Sequence, residues 1–314
     1  MNATLSGLQS HSCKPLDIIV VLVTHNRPRL LRKALEALAI QTHPPTWIVV
    51  VDNASEPETR AVIDQTAMVI DVVRSEKNLG GAGGFALGMR RALAIGAEWM
   101  WLMDDDAIAE PNALEKLVAP IIELSGRIGV LCSCVMEFGA IALQHRRSFN
   151  SLLGFERSIG QAAYRHKAVQ VDTASFVGFM VSAQAVWAVG LPNADFFLAY
   201  DDTEYSLRLR RNGFDIWLAP DSVIVHERSA SARMRSSAFG AKHYFNIRNR
   251  IVVKRMYAQA AWIGATLGAG FGFLLWMRAP RTPSSWRILA RAVVDGFSSR
   301  LGPLPESMRF RREK

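Results

Sequence analysis

The first strong hydrophobic signal in the chain is at residues 18–23 (IIVVLV), a continuous apolar run of the kind a strand buried on both faces requires. Asn26-Arg27-Pro28 follows as a helix-start signal, and Leu31, Leu35 and Leu38 then recur at helical spacing. Residues 47–51 (WIVVV) read as a second strand ending in Asp52-Asn53. Strand, amphipathic helix and strand make a βαβ unit, which predicts a parallel sheet with right-handed crossovers. Residues 68–73 (MVIDVV) and 99–103 continue the alternation, with helices predicted over 85–95 and 111–124. From about residue 130 the pattern changes. Residues 176–181 read as a strand, 202–211 as a helix closed by Asn212-Gly213, and 214–218 and 222–225 as strands. The pattern shows no internal repeat. The fold class it predicts is α/β, with a mostly parallel sheet.

Open sheets of this kind bind ligands outside the carboxyl ends of their strands. Asp52-Asn53, the loop 78–84 and Asp104-Asp105-Asp106 all fall at such ends and can converge on one crevice. The acidic run stands out because WMWLMDDD takes five bulky apolar residues straight into three carboxylates. Adjacent carboxylates raise one another's pKa unless a cation or a positive dipole neutralises them. In extended backbone Asp104 and Asp106 would share a face, with Asp105 pointing away. Two hard oxygen ligands on one side suit Mg²⁺ or Mn²⁺; a solvated Asp-rich turn is the plainer alternative.

Asn78-Leu79-Gly80-Gly81-Ala82-Gly83-Gly84 precedes a predicted helix. Such a loop lets backbone amides approach phosphates or a ribose at a helix N-terminus. Gly81, Gly83 and Ala86 also fit G-x-G-x-x-A with Asp104 downstream, the fingerprint of an NAD-binding oxidoreductase. Against that reading, the polar stretch 74–78 separates strand from glycines, and one ribose contact does not require three aspartates. A structural glycine turn is a further alternative. In Tyr200-Asp201-Asp202-Thr203-Glu204 one acid is needed as a helix cap, which leaves a surplus acid as a candidate general base. His226 ends a predicted strand and is read either as a surface residue or as a metal ligand through a ring nitrogen.

Length and composition bound the rest. With 314 residues, half of them hydrophobic, the chain can bury one large core or one core plus an appendage, and disorder is excluded as the main state. Cys13, Cys132 and Cys134 have no metal spacing and read as unpaired thiols of a reducing compartment. The N-terminus has no basic region followed by an apolar one, so no secretory signal is expected and the catalytic machinery is placed in the cytoplasm. The net charge of +9 is uneven: residues 1–227 carry 20 Lys/Arg against 25 Asp/Glu, and residues 228–314 carry 17 against 3. Within that basic tail, residues 260–277 are 18 uncharged residues with Trp262 and Trp276 near the ends, at the lower limit for a spanning helix. Trp286, Leu289, Val293 and Phe297 then form one stripe of an amphipathic helix. These features predict a helix embedded in or lying on an anionic membrane surface, with a core-packed helical appendage as the alternative. No nucleic-acid recognition module is visible.

Taken together, VTHNRP (23–28), VDNAS (51–55), NLGGAGGF (78–85), the Asp triplet, YDDTE (200–204) and His226 resemble the family 2 inverting glycosyltransferases over roughly residues 18–250. The wording NLGGAGGFALGM and WLMDDDA is most similar to the bacterial galactofuranosyltransferases, with the rhamnosyltransferases next. The resemblance implies a GT-A nucleotide-diphosphosugar fold, a catalytic domain over 1–250 and a helical, basic, membrane-associating region over 251–314. It implies that Asp52 and Asn53 hold the uracil and ribose, helped by Thr24, Arg27 and Asn78, with Gly83 and Gly84 lining the donor site. Asp104 and Asp105 would touch ribose or sugar, Asp106 and His226 would bind Mn²⁺ or Mg²⁺, and Asp202 would be the base. For Asp104 this departs from the alternation, which a turn after Met103 would break. The implied donor is a UDP-sugar, UDP-galactofuranose first and dTDP-rhamnose as the alternative. The implied acceptor is a lipid-linked or polysaccharide hydroxyl at the inner face of the plasma membrane, where anionic lipids are the expected partner and nucleic acid is not. Tyr200 stands where many relatives carry Trp.

Overall fold

The computed structural model describes residues 16–227, 238–280, 282 and 285–304; Cys13 lies outside them. The chain alternates β1 (Ile18–Thr24), α1 (Pro28–Ala39), β2 (Trp47–Asn53), α2 (Pro57–Gln65), β3 (Asp71–Ser75), α3 (Gly80–Ala94) and β4 (Trp99–Asp104). It continues through β5 (Ala107–Ala109), α4 (Ala113–Val118), β6 (Ile128–Glu137), β7 (Ala140–Ile141), β8 (Arg146–Asn150) and β9 (Phe155–Ser158). Next come β10 (Val169–Val171), β11 (Thr173–Ala174), β12 (Phe179–Ser182), α5 (Ala183–Val189), α6 (Asp201–Arg211) and β13 (Asp215–His226). Three helices close the described chain: α7 (Ala241–Tyr257), α8 (Ala261–Arg278) and α9 (Ser285–Phe297).

The main sheet has the order β10-β13-β6-β12-β4-β1-β2-β3. Strands β4, β1, β2 and β3 are parallel, as the βαβ reading predicts, and so are β6 and β13; β12 runs antiparallel between β4 and β6. Side-chain alternation divides the continuous apolar runs between two cores. Ile18, Val20 and Leu22 meet Leu31, Leu35 and Leu38 of α1 on one face, whereas Ile19, Val21 and Val23 meet Phe85 and Met89 of α3 on the other.

Several element boundaries differ from the sequence expectation, each for a local reason. β3 begins at Asp71 rather than 68, because Met68 and Ile70 pack from the connection before the ladder starts. As an edge strand it alternates in burial and carries no continuous apolar run. The helix expected over 111–124 stops at Val118 and passes into a 3-10 turn (Ala119–Ile122) containing Pro120. The strand expected over 176–181 starts only at Phe179, after Gly178 at φ +67°. The two strands expected over 214–225 are one, β13, whose register against β6 shifts between Ala219 and Val223, across Pro220.

α3 is the most consequential difference, because it starts at Gly80 rather than 85 and takes the glycines into its first turns. A Cβ on Gly84 would lie 2.7 Å from Val23 Cγ1, and one on Gly88 2.4 Å from Val21 Cγ1. The glycines let the helix backbone settle directly on β1. Gly83 and Gly84 are therefore buried in the first turns of α3 and do not belong to a loop before it.

The expected boundary at residue 250 falls inside α7. One part of that helix contributes Val252, Val253 and Tyr257 to a cluster with Phe196 and Leu207 of the sheet domain. Another packs Tyr244, Ile247 and Ile251 against α8 and α9. No helix among the described residues is long and apolar enough to cross a membrane.

Candidate active site

The carboxyl ends of β1, β2, β4 and β13 bring the sequence-predicted residues to one edge of the sheet. β4 ends at Asp104, and the next two acids lie in a turn. The alternation that would pair Asp104 with Asp106 is therefore broken, by a turn that follows Asp104 and not Met103. Thr24 Oγ1 donates to Asp105 Oδ2 at 2.8 Å, and Arg27 Nη1 reaches Asp105 Oδ1 at 2.9 Å and Asp106 Oδ2 at 2.7 Å. Thr24 and Arg27 thus hold the acidic turn in place, with Arg27 half exposed. Burial first, and then the charges of Asp106 and Asp105, push Asp104 up to about 7.

Asp52 is fully buried; its Oδ1 accepts from the Ser55 amide at 2.9 Å. Its Oδ2 lies 3.4 Å from Arg60 Nε and 3.6 Å from Arg74 Nε but accepts no hydrogen bond. Asn53 and Asn78 turn toward the protein. Asn53 Nδ2 donates to Gly80 O at 3.0 Å and Asn53 Oδ1 accepts from the Leu79 amide at 2.8 Å. Asn78 Oδ1 accepts from the Gly80 amide at 2.8 Å. These bonds cap the start of α3 and occupy amides that the glycine-loop reading would have offered to a phosphate.

His226, at the end of β13, stands between two carboxylates. Its Nδ1 is 2.8 Å from Glu137 Oε1, and its Nε2 is 3.2 Å from Asp106 Oδ1. Glu137 Oε1 also lies 3.0 Å from His145 Nε2, and His145 Nδ1 lies 2.6 Å from Ser175 Oγ. Burial drives His145 down to about 4, so it is neutral near pH 7. Burial opposes ionisation of Glu137, but the hydrogen bonds from His145 and His226 hold it down to about 2. Burial opposes protonation of His226, but Asp106 and then Glu137 raise it above the ordinary imidazole value, so each ring nitrogen faces one carboxylate. Asp106 Oδ1 is buried and accepts no hydrogen bond, so a carboxylate oxygen and an imidazole nitrogen face each other at close range. That pair, with Asp104 beside it, is a donor set that fits Mg²⁺ or Mn²⁺.

Glu137 and His145 were not found from the sequence. His145 lies in β-rich surroundings with no metal spacing to His226, 81 residues away. Glu137 ends the apolar strand β6, so the strand-end rule that singled out Asp52 and Asp104 applied to it as well.

Asp201 and Asp202 open α6 after Tyr200, which has left-handed backbone. Asp202 Oδ1 accepts from the Thr203 amide at 2.6 Å, and Oδ2 lies 3.7 Å from Arg147 Nη2. Arg147 is in turn 3.1 Å from Glu156 Oε1, which also accepts from Thr203 Oγ1 at 3.1 Å. The β8–β9 hairpin therefore braces the first turn of α6. Asp201 is buried; its burial, and then the charges of Asp202 and Asp104, push it up to about 8. Burial raises Asp202 as well, opposed first by the charge of Arg147, so the two adjacent carboxyls titrate as a coupled pair.

The Glycosyl transferase family 2 model matches residues 19–190. Galactofuranosyltransferase GlfT1 of Mycobacterium tuberculosis (strain ATCC 25618 / H37Rv) is 30% identical over 296 residues, covering 88% of this chain and 94% of its own. Among solved structures, GalNAc-T7 with UDP, GalNAc and Mn2+ has a TM-score of 0.58 at 17% identity, over 76% of this chain and 47% of that one. This chain thus spans about half of that structure's length. The mannosyltransferase PcManGT from Pyrobaculum calidifontis, in complex with GDP-Man and Mn2+, has a TM-score of 0.54 at 15% identity, over 93% and 77% of the two chains. The fold they share with this chain is GT-A.

Proposed function

The chain belongs to glycosyl transferase family 2, and from that premise we propose that it is a metal-dependent inverting galactofuranosyltransferase. It moves galactofuranose from UDP-galactofuranose onto a hydroxyl of a lipid-linked or polysaccharide acceptor of the cell envelope. The observation that carries this reading is the similarity to GlfT1 along nearly the whole of both chains.

In the proposed mechanism Asp106 and His226 hold Mn²⁺ or Mg²⁺, with Glu137 orienting His226. When bound, the cation stabilises the charge that develops on the departing diphosphate. Asp52, with its unsatisfied Oδ2, faces the base and ribose of the donor; Asp104 and Asp105 line the ribose and sugar. Asp202 takes the proton of the acceptor hydroxyl as its oxygen bonds to the anomeric carbon. The bond from that carbon to the diphosphate oxygen breaks on the opposite face, which inverts the centre. Release and transfer assays over a panel of UDP- and dTDP-sugars test the reading. The expected result is Mn²⁺-dependent turnover of UDP-galactofuranose; turnover of dTDP-rhamnose in its place would make the chain a rhamnosyltransferase.

We also propose that α8 docks on the cytoplasmic face of an anionic membrane. Its small residues Gly264, Ala265, Gly268 and Gly272 face inward, against α7 and the β8–β9 turn, where a Cβ on Gly272 would lie 2.8 Å from Ile247. Its large residues Trp262, Ile263, Leu267, Phe273, Leu274 and Met277 are exposed. A surface helix ordinarily buries its large residues and exposes its polar ones; α8 does the reverse, within a strongly basic region. Each Lys or Arg near an anionic surface contributes about 1 kcal/mol. Wild-type protein is expected to float with phosphatidylglycerol vesicles and not with phosphatidylcholine ones. Ile263→Glu/Leu267→Glu should lower the bound fraction at least tenfold with UDP affinity unchanged. Equal flotation of the variant would remove α8 from the interface.

A further inference from the structure

The segment that leads into Asp201 and Asp202 is strained in one place. Phe197, Ala199 and Tyr200 have φ of 64°, 65° and 63°, and none of them is glycine. L-residues rarely adopt this backbone, and it persists only where the surroundings over-determine it. The Leu198 amide donates back to Phe196 O at 2.7 Å, closing a tight turn around Phe197. A turn of this kind points consecutive carbonyls into the protein outside any strand ladder, and buried carbonyls need donors.

Those donors come from two adjacent residues of α7, both fully buried. Asn249 Nδ2 lies 3.0 Å from Phe196 O, 2.9 Å from Leu198 O and 2.7 Å from Ala199 O. Arg248 Nη2 donates to Phe196 O at 2.9 Å and Asp195 O at 3.2 Å, and its Nη1 donates to Gly302 O. Arg248 Nε donates to Asn249 Oδ1 at 2.7 Å, so the two side chains lock each other. From the other side the Ala82 amide, in the first turn of α3, donates to Phe197 O at 3.3 Å. The Phe197 ring stacks on Phe245 at 4.9 Å.

We propose that Arg248 and Asn249 are positioning residues for glycosyl transfer, a clamp on the strained turn 196–200 that sets where Asp202 stands relative to the acidic turn of β4. The proposal rests on the reading of Asp202 as the base. It also gives α7, which carries both side chains, a part in catalysis. Asn249 and Arg248 touch no reacting atom; they act through the backbone they hold. Two forked or paired donors in adjacent positions suit this task, since one side chain must satisfy several carbonyls at fixed angles.

The test uses the full chain. Asn249→Ala should lower kcat by about 100-fold, the scale of a misplaced reacting group, with the Kd for UDP and Mn²⁺ within about threefold of wild type. Amide exchange over 197–203 should quicken at least tenfold, with β1 and β4 unchanged. Adding Ala199→Gly to Asn249→Ala should recover kcat by about five- to tenfold, because glycine adopts positive φ without the Cβ penalty. If Asn249→Ala cannot be purified, Arg248→Lys, which keeps the charge and loses the fork, is read by the same measurements. Near wild-type kcat and exchange would overturn the clamp. A loss of kcat matched by equal loss of UDP affinity, or one that Ala199→Gly does not relieve, would assign the pair to general stability instead. If wild-type protein turned over no sugar nucleotide, the functional reading would fail by itself, and local exchange over 197–203 would still decide whether the clamp exists.

Discussion

Asp202→Asn is expected to lower the transfer rate by two to four orders of magnitude, the usual contribution of a positioned base, while UDP and metal affinity hold nearly constant. Asparagine keeps the size of the side chain and its Oδ1 can still accept from the Thr203 amide, so the start of α6 remains in place. What is lost is the ability to take a proton from the acceptor. Asp201→Asn is expected to behave differently. Asp201 is buried and pushed up to about 8, so near neutrality it already carries a proton, and an amide resembles that state; turnover should stay within about tenfold of wild type. Burial, opposed by Arg147, raises Asp202 above the ordinary carboxylate range as well. The base works only when ionised, so kcat should fall as pH drops through that raised value, and the acid limb should vanish in Asp202→Asn. Near wild-type turnover in Asp202→Asn beside a dead Asp201→Asn would move the base by one residue. If both stayed active, the pair would be structural.

Strands β1, β2 and β4 were legible because both faces are buried and each appears as an unbroken apolar run, and the strand-end rule then located Asp52 and the Asp triplet; β6, equally buried, was not read from the sequence. What one face or one side chain decides was not legible. β3 is an edge strand with alternate residues exposed. The glycines before Phe85 have poor helix propensity, yet they form the start of α3, where Gly84 packs closely on Val23 and, one turn on, Gly88 packs on Val21. In α8 the hydropathy of residues 260–277 registers a long uncharged run and cannot register that its glycines form the inner seam. Glu137 reaches His226 through the pairing of β6 with β13, and His145 through the 3-10 turn before β8; the Arg248-Asn249 clamp looks in the sequence like part of a basic helix. Motifs made of neighbours in sequence were readable; partners brought together by the fold were not.

Asp106→Ala should remove the metal dependence of nucleotide binding while leaving the fold in place. In wild type, Mn²⁺ is expected to tighten UDP binding strongly, because Asp106, whose Oδ1 is buried without a hydrogen bond, and His226 would hold the cation, which would neutralise charge on the diphosphate. In the variant the ratio of UDP Kd without and with Mn²⁺ should collapse toward one. The cost to stability should be about 1 kcal/mol, since Arg27 keeps Asp105 as a partner at 2.9 Å and the apolar strand β4 is untouched. Glu137→Gln provides the graded comparison. It keeps the shape beside His226 but weakens control of the imidazole proton, and changes of this kind reduce metal affinity about 10- to 100-fold without abolishing it. Titration calorimetry with UDP, with and without Mn²⁺, on both variants and wild type separates the outcomes. A metal-dependent increment that survives in Asp106→Ala would remove Asp106 from the centre. Complete loss in Glu137→Gln with full retention in Asp106→Ala would shift the cation to the Glu137, His145 and His226 cluster, whose ligand atoms all lie within 4.8 Å of one another.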